Sequence, residues 1–336
     1  MVPFYRLILK RALSISWKNK WLWVLAFFAA FIGNGGVYEA LLRGFNNISE
    51  GRSVFYALSE YTQSGILGMF SWSNISALWY SDPAALGMNV FAMLLILCLL
   101  AVLISLGVIG QGGVIRGVIS RDEKKKTNFK ENFHAGLERF WQILELNVIT
   151  KVVLLGILMF LAYLASLITF QSAVLNIFVY VLAFIIFIIL GIIIYFLTIY
   201  GTAFVVLRKK GPFSGLKAAW HLFSKNVLLN LEMGFLLFII NIIVAILFLV
   251  ATFILLSPFM LLYFIFLMSA ANIAAAIIMV IMSIIFIIFM VLIGSWWSTF
   301  QLGAWAILFE ELALLGGKSK VQRLYEHVAK KTKTKK

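Results

Sequence analysis

The sequence predicts an all-α integral membrane protein of six transmembrane helices, and three observations carry that expectation. Apolar residues fill 63% of the 336 positions and charged residues 12%, whereas a soluble domain carries roughly a quarter charged residues. Four apolar blocks, 21–42, 86–120, 147–207 and 227–315, are each long enough for the ~20 residues that cross a hydrocarbon core. Arg and Lys gather at the edges of these blocks rather than within them. The net charge of +15 would suit nucleic acid, but cations placed this way follow the positive-inside rule, so no nucleic-acid partner is expected. Cys98 stands alone in an apolar run, which excludes an intramolecular disulfide and leaves a thiol expected to pack.

The first block follows a basic stretch, as a cleavable signal peptide would. Its apolar character resumes at Val37 to Leu42 and no small-x-small site with polar followers appears, so a first span is the better reading. The second block supplies span 2. The third and fourth each fold back once. No charge separates Lys151 from Arg208, and the polar relief at Thr169, Gln171 and Ser172 marks the turn between spans 3 and 4. No charge separates Glu232 from Glu310 either, and the break is expected around Ser257, Pro258, Ser269 and Asn272, since proline disfavours helix at the residue before it. Four short spans in this block would strand backbone groups in lipid. Spans 2, 4 and 6 exceed what the hydrocarbon core demands and should tilt or extend past the surface.

Orientation follows from the basic segments. Arg6, Lys10, Arg11, Lys18 and Lys20, then Arg116 to Arg139, then Arg208 to Lys225, and finally the tail share one side if spans alternate. That side is read as cytoplasmic, with both termini inside a bacterial inner membrane. The loop 43–85 faces outward and is rich in aromatics such as Trp72, Trp79 and Tyr80.

One pattern recurs: Gly136-Leu137-x-x-x-Trp141 with Asn147, and Gly215-Leu216-x-x-x-Trp220 with Asn226, at one constant offset. Ala12-Leu13-x-x-x-Trp17 is a weaker third copy. The even spans end alike, at Gln111-Gly112-Gly113, Tyr200-Gly201 and Gln301-Leu302-Gly303. Together these predict one membrane domain, 1–315, of three units at about 4–120, 127–208 and 212–315, each an amphipathic helix followed by a membrane hairpin. Phe129, Phe133, Leu137, Phe140, Trp141 and Leu144 share a helical face, and Phe213, Leu216, Trp220 and Phe223 repeat it, as helices lying in the interface do. Asn128 with Glu131 forms a capping box, and Gly211-Pro212 starts the second of these helices. Trp17, Trp141 and Trp220 are expected as headgroup-level anchors.

Ionisable residues in a membrane are costly and mark candidate sites. Glu145, Lys151, Asn226 and Glu232 form a possible intramembrane polar cluster near the cytoplasmic surface, with structural pairing the simpler role. Asn230, Asn241 and Asn272 suit interhelical hydrogen bonding. His134, His221 and His327 sit in basic segments without metal-ligand spacing, and no nucleophile elbow or phosphate loop occurs. No catalytic residue, metal or cofactor is therefore assigned. The tail 316–336 carries eight basic residues against Glu326, and each contributes roughly 1 kcal/mol near anionic lipid.

Arg11-Ala12-Leu13 through Trp17-Lys18-Asn19-Lys20-Trp21-Leu22-Trp23, with the segment Phe213 to Asn226 leading into a hairpin, resembles a group of bacterial multi-span proteins. These are similar to the membrane domain attached to some glycerophosphoryl diester phosphodiesterases. The resemblance implies a membrane module; the soluble barrel that holds that activity is not in this sequence. The expected role is a non-catalytic module organising anionic inner-leaflet lipid or a protein partner. A permease-like subunit for a lipidic or amphipathic substrate is the alternative. A lipid-acting enzyme would need Glu145, Lys151, Asn226 and Glu232 to face one pocket.

Overall fold

The structure is a computed structural model that describes residues 4–33, 71–167 and 173–314, and every regular element among them is an α-helix. In chain order these are α1 (Phe4–Lys18), α2 (Trp21–Ala30), α3 (Trp72–Ser81), α4 (Pro83–Asp122), α5 (Phe129–Glu138), α6 (Phe140–Leu167), α7 (Ala173–Arg208), α8 (Pro212–Lys225), α9 (Val227–Met268) and α10 (Asn272–Leu314). Within α4, α6, α7, α9 and α10 lie five stretches long and apolar enough to cross a membrane. Helix α2 is apolar but only 10 residues long. The rest of the predicted first span, most of the loop 43–85, the turn at 168–172 and the tail 316–336 lie outside the described residues.

Local chemistry sets the helix ends. Asn128 Oδ1 caps α5 by accepting from the Glu131 backbone N–H at 3.0 Å, and Asn128 Nδ2 donates to Glu131 Oε1 at 3.2 Å, so the two side chains brace each other. Pro212 occupies the first turn of α8. Asp82 caps α4 through the Ala85 N–H at 3.0 Å, so this helix begins at Pro83, inside the segment expected as loop. Three helices close through a residue with positive φ, Lys124 (60°), Lys209 (53°) and Ala270 (57°). Each is followed by a backbone N–H that reaches back past the last turn: Lys125 to the Ser120 carbonyl and Ala271 to the Phe266 carbonyl, five residues back, and Lys210 to the Phe204 carbonyl, six back. An L side chain at such a φ costs roughly 1 kcal/mol. Ala270→Gly should therefore raise stability by about 1 kcal/mol, measured by detergent-induced unfolding.

One expectation about helix breaks is corrected and another holds in part. The amphipathic segment from Phe129 to Leu144 is not one helix. It kinks at Arg139 (φ −109°, ψ 14°), and Phe140, Trp141 and Leu144 belong to α6. The break expected around Ser257, Pro258, Ser269 and Asn272 falls at Ser269 and Asn272, whereas α9 continues through Ser257 and Pro258 to Met268. Proline removes the N–H that would bond the carbonyl four residues earlier. Here the Ser257 hydroxyl donates to that carbonyl, Ile254 O, at 3.1 Å, one of the ways membrane helices satisfy proline-freed backbone groups. Ser257→Ala is expected to cost about 1 kcal/mol, and Pro258→Ala in the same chain should erase that cost.

Helices α4, α7 and α10 contact one another and form the centre of the bundle. Helix α5 lies on α4, α8 on α7, and α1 on α10, while α2 pairs with α4, α6 with α7 and α9 with α10. The main core sits at one end. It is built from Val108–Ile119 of α4, Ile143 and Leu146 of α6, Phe196–Val206 of α7, Leu229–Leu237 of α9 and Phe300–Leu312 of α10. Away from that end large apolar side chains such as Phe91, Phe178, Phe253 and Ile287 are exposed, as is Cys98, which was expected to pack. Small residues let the helices close. A Cβ on Gly136 would overlap the Ile109 carbonyl, and Gly112 lies against the Gly136 Cα. Gly215 faces the Gly201 carbonyl, and Ala12 is the small residue beside Gly303.

Candidate ligand-binding cleft and its polar contacts

Charges close the packed end. Arg11 of α1 donates through Nε to Asp122 Oδ1 at 2.7 Å, through Nη2 to Asp122 Oδ2, and through Nη1 to Glu311 Oε1 at 2.6 Å. One guanidinium thus joins α1, α4 and α10 in the fork geometry that makes Arg–carboxylate pairs strong. The bond to Asp122 raises the guanidinium pKa further above its ordinary value, against burial, and Glu311 adds to it. Next to it, Arg208 of α7 donates to Glu310 Oε1 at 2.9 Å. Sequence reading treated Arg11 and Arg208 as orientation signals. Their pairing with Glu310 and Glu311 depends on a chain reversal that spacing does not encode.

The four residues expected as an intramembrane cluster make these contacts. Glu232 accepts a hydrogen bond from the Tyr5 hydroxyl, which links α9 to α1. Asn226 turns its amide back to the Leu222 carbonyl at 2.9 Å. Glu145 is exposed on α6, and Lys151 is half-buried one and a half turns further on. None of these contacts joins two of the four. Of the predicted anchors, Trp17 is 61% exposed, Trp141 68% and Trp220 52%, so all three rings point out of the bundle. Trp17 also meets Trp296 edge-on at 5.8 Å and Trp23 at 6.3 Å.

Buried and half-buried polar contacts link the hairpins to one another and tie together the two helices of the last one. Asn147 Nδ2 donates to Gln111 Oε1 at 2.9 Å, joining α6 to α4. The Tyr200 hydroxyl donates to Asn230 Oδ1 at 2.5 Å, joining α7 to α9. Ser298 Oγ donates to the Ala26 carbonyl at 3.2 Å, joining α10 to α2. Within the α9–α10 hairpin, Trp297 Nε1 donates to Asn241 Oδ1 at 2.8 Å, and Gln301 Nε2 donates to the same oxygen.

Asn241 and Gln301 border a cleft of about 460 Å³ between α7, α9 and α10, within the range of small-molecule sites. Tyr195 and Phe196 come from α7, Gly234 and Phe238 from α9, and Trp305 from α10, with Asn241 and Gln301 as its amides. No charged side chain lines it, and none of Glu145, Lys151, Asn226 and Glu232 does. Gly234 keeps it open: a Cβ there would meet Phe196 at 3.7 Å and Trp305 at 3.9 Å, so larger side chains would fill the space. Asn241 was legible as a polar residue in an apolar helix; its meeting with Gln301 was not. Among the described residues no His/Cys/Asp/Glu group could hold a metal ion.

A model of a family of unknown function, DUF7544, matches residues 10–309. No curated protein and no solved structure matches the chain.

Proposed function

The chain belongs to DUF7544, a family of unknown function, and from its geometry we propose that it is a non-catalytic membrane module that organises lipid around a ring of three hairpin units. The carrying observation is a contact that recurs. The small residue of each copy of the sequence pattern packs on the glycine that ends an even span: Gly136 on Gly112, Gly215 on Gly201, Ala12 beside Gly303. The amphipathic helix of each unit thus rides on the preceding unit's second span, and α1 closes the circle on α10. The reading takes six spans, five in α4, α6, α7, α9 and α10 and the first counted from the apolar sequence block 21–42.

Length supports a ring seated at the inner surface. Helix α10 has 43 residues, about 65 Å at ~1.5 Å per residue, twice the ~30 Å hydrocarbon core. Apart from Ala275 its buried residues begin at Ser295, next to Trp296 and Trp297. The exposed stretch before them is the membrane-spanning part, and the packed end lies at headgroup level, where tryptophan rings favour the interface. Trp17, Trp141 and Trp220 then form its lipid-facing rim beside the basic segments of a cytoplasmic face, with both termini inside. The tail 316–336 adds further attraction to anionic lipid.

The test compares unfolding temperature of the full chain in nanodiscs of phosphatidylcholine with and without phosphatidylglycerol. Anionic lipid should stabilise the wild type, and the preference should vanish when the tail is removed and Trp17, Trp141 and Trp220 become alanine. Equal stability in both compositions would sink the reading. The cleft favours a second reading, a permease-like subunit for a lipidic substrate, which predicts movement of a fluorescent lipid between the leaflets of reconstituted vesicles.

A further inference from the structure

The polarity of the amide pair in the cleft is fixed by chemistry. An indole N–H can only donate, so the Asn241 atom facing Trp297 is its oxygen, and the Gln301 atom facing that oxygen is its nitrogen. This leaves Asn241 Nδ2 with two N–H groups and Gln301 Oε1 with its lone pairs. Neither atom has a hydrogen-bond partner among the described residues, and both side chains line an otherwise apolar cleft. An unmet donor and an unmet acceptor therefore belong to two neighbouring amides that border an otherwise apolar cleft whose lining residues carry no charge to attract a phosphate or ammonium.

We propose that the cleft binds a neutral acylglycerol bearing a free hydroxyl. An ester carbonyl accepts from Asn241 Nδ2, the neighbouring hydroxyl donates to Gln301 Oε1, and one acyl chain lies along Phe196, Gly234, Phe238 and Trp305. A hydroxyl beside an ester presents the acceptor and donor that this pair lacks, whereas a triacylglycerol lacks the donor. The inference rests on the lipid-holding reading only in taking its occupant from the bilayer; it depends on the cleft and not on the rim.

The experiment is native mass spectrometry of the delipidated full chain in phosphatidylcholine nanodiscs carrying dioleoylglycerol or trioleoylglycerol. One dioleoylglycerol per chain is expected, with trioleoylglycerol weaker by about tenfold, the scale of one lost polar contact. Gly234→Leu should reduce dioleoylglycerol binding by about tenfold or more by filling the groove. Leu231→Trp at the exposed mouth should do the same without touching the core, which keeps the test open if Gly234→Leu fails to fold. Gln301→Met should remove the preference for the free hydroxyl. Equal retention of the two lipids, or binding indifferent to both groove-filling variants, would overturn the proposal. The rim variant Trp17, Trp141 and Trp220 to alanine should leave this binding unchanged, so the two proposals fail separately.

Discussion

Gly136→Ala is expected to cost about 3 kcal/mol, the upper range for forcing extra volume into a packed core. The added Cβ would overlap the Ile109 carbonyl, which is backbone inside α4 and cannot rotate away. Either α5 lifts off α4 or α4 bends, and both disturb Gly112 and the Ile143 side chain beside it. The same substitution at Gly215 should cost no more than about 1 kcal/mol, because the nearest atoms, Gly201 O at 3.3 Å and Val205 Cγ2 at 3.4 Å, need yield only slightly. Gly87, Gly156 and Gly294 have nothing within 4 Å of an added Cβ. At these three, alanine should be neutral or stabilising by up to about 1 kcal/mol through helix propensity. The series is read by sodium dodecyl sulfate titration of the purified chain, followed by tryptophan fluorescence. A Gly136→Ala variant as stable as Gly87→Ala would mean that α5 does not seat on α4 this closely.

This graded response separates what the sequence discloses from what it conceals. The helical class, five long apolar helices, the Asn128 cap and the Pro212 start were all legible, because each is written in consecutive residues. So was the recurrence of Gly136 and Gly215, although not what those glycines touch. The kink at Arg139 escaped because the apolar face runs without a phase change from Phe133 into Trp141. The continuation of α9 through Pro258 escaped because rescue by the adjacent Ser257 hydroxyl depends on rotamer rather than composition. The polar residues divide in the same way. Glu145, Lys151, Asn226 and Glu232 stood out for their ionic or amide character inside apolar blocks. Of these Glu232 does join two helices, but its partner Tyr5, like those of Arg11 with Asp122 and Glu311 and of Asn241 with Trp297 and Gln301, lies far away in sequence.

Tyr200→Phe is expected to destabilise by about 2 kcal/mol, through the desolvation of what remains rather than the bond it removes. Tyr200 and Asn230 are both fully buried, and the Tyr200 hydroxyl is the donor to Asn230 Oδ1. Asn230 Nδ2 already has no partner, so phenylalanine would leave the whole amide buried without a hydrogen bond. A buried polar group in that state costs roughly 1–3 kcal/mol. Asn230→Leu alone should cost a similar amount by stranding the tyrosine hydroxyl. The two together should cost less than either, since an apolar pair of comparable shape can be nearly neutral. The double-mutant cycle is measured by the same detergent titration, with far-ultraviolet circular dichroism to confirm that helix content is kept. Additive losses would show that Tyr200 and Asn230 do not act as a pair and that α7 and α9 are held by their apolar contacts alone. Recovery in the double variant would place the polar link between the second and third hairpins in the role of specifying register, with apolar packing supplying the stability.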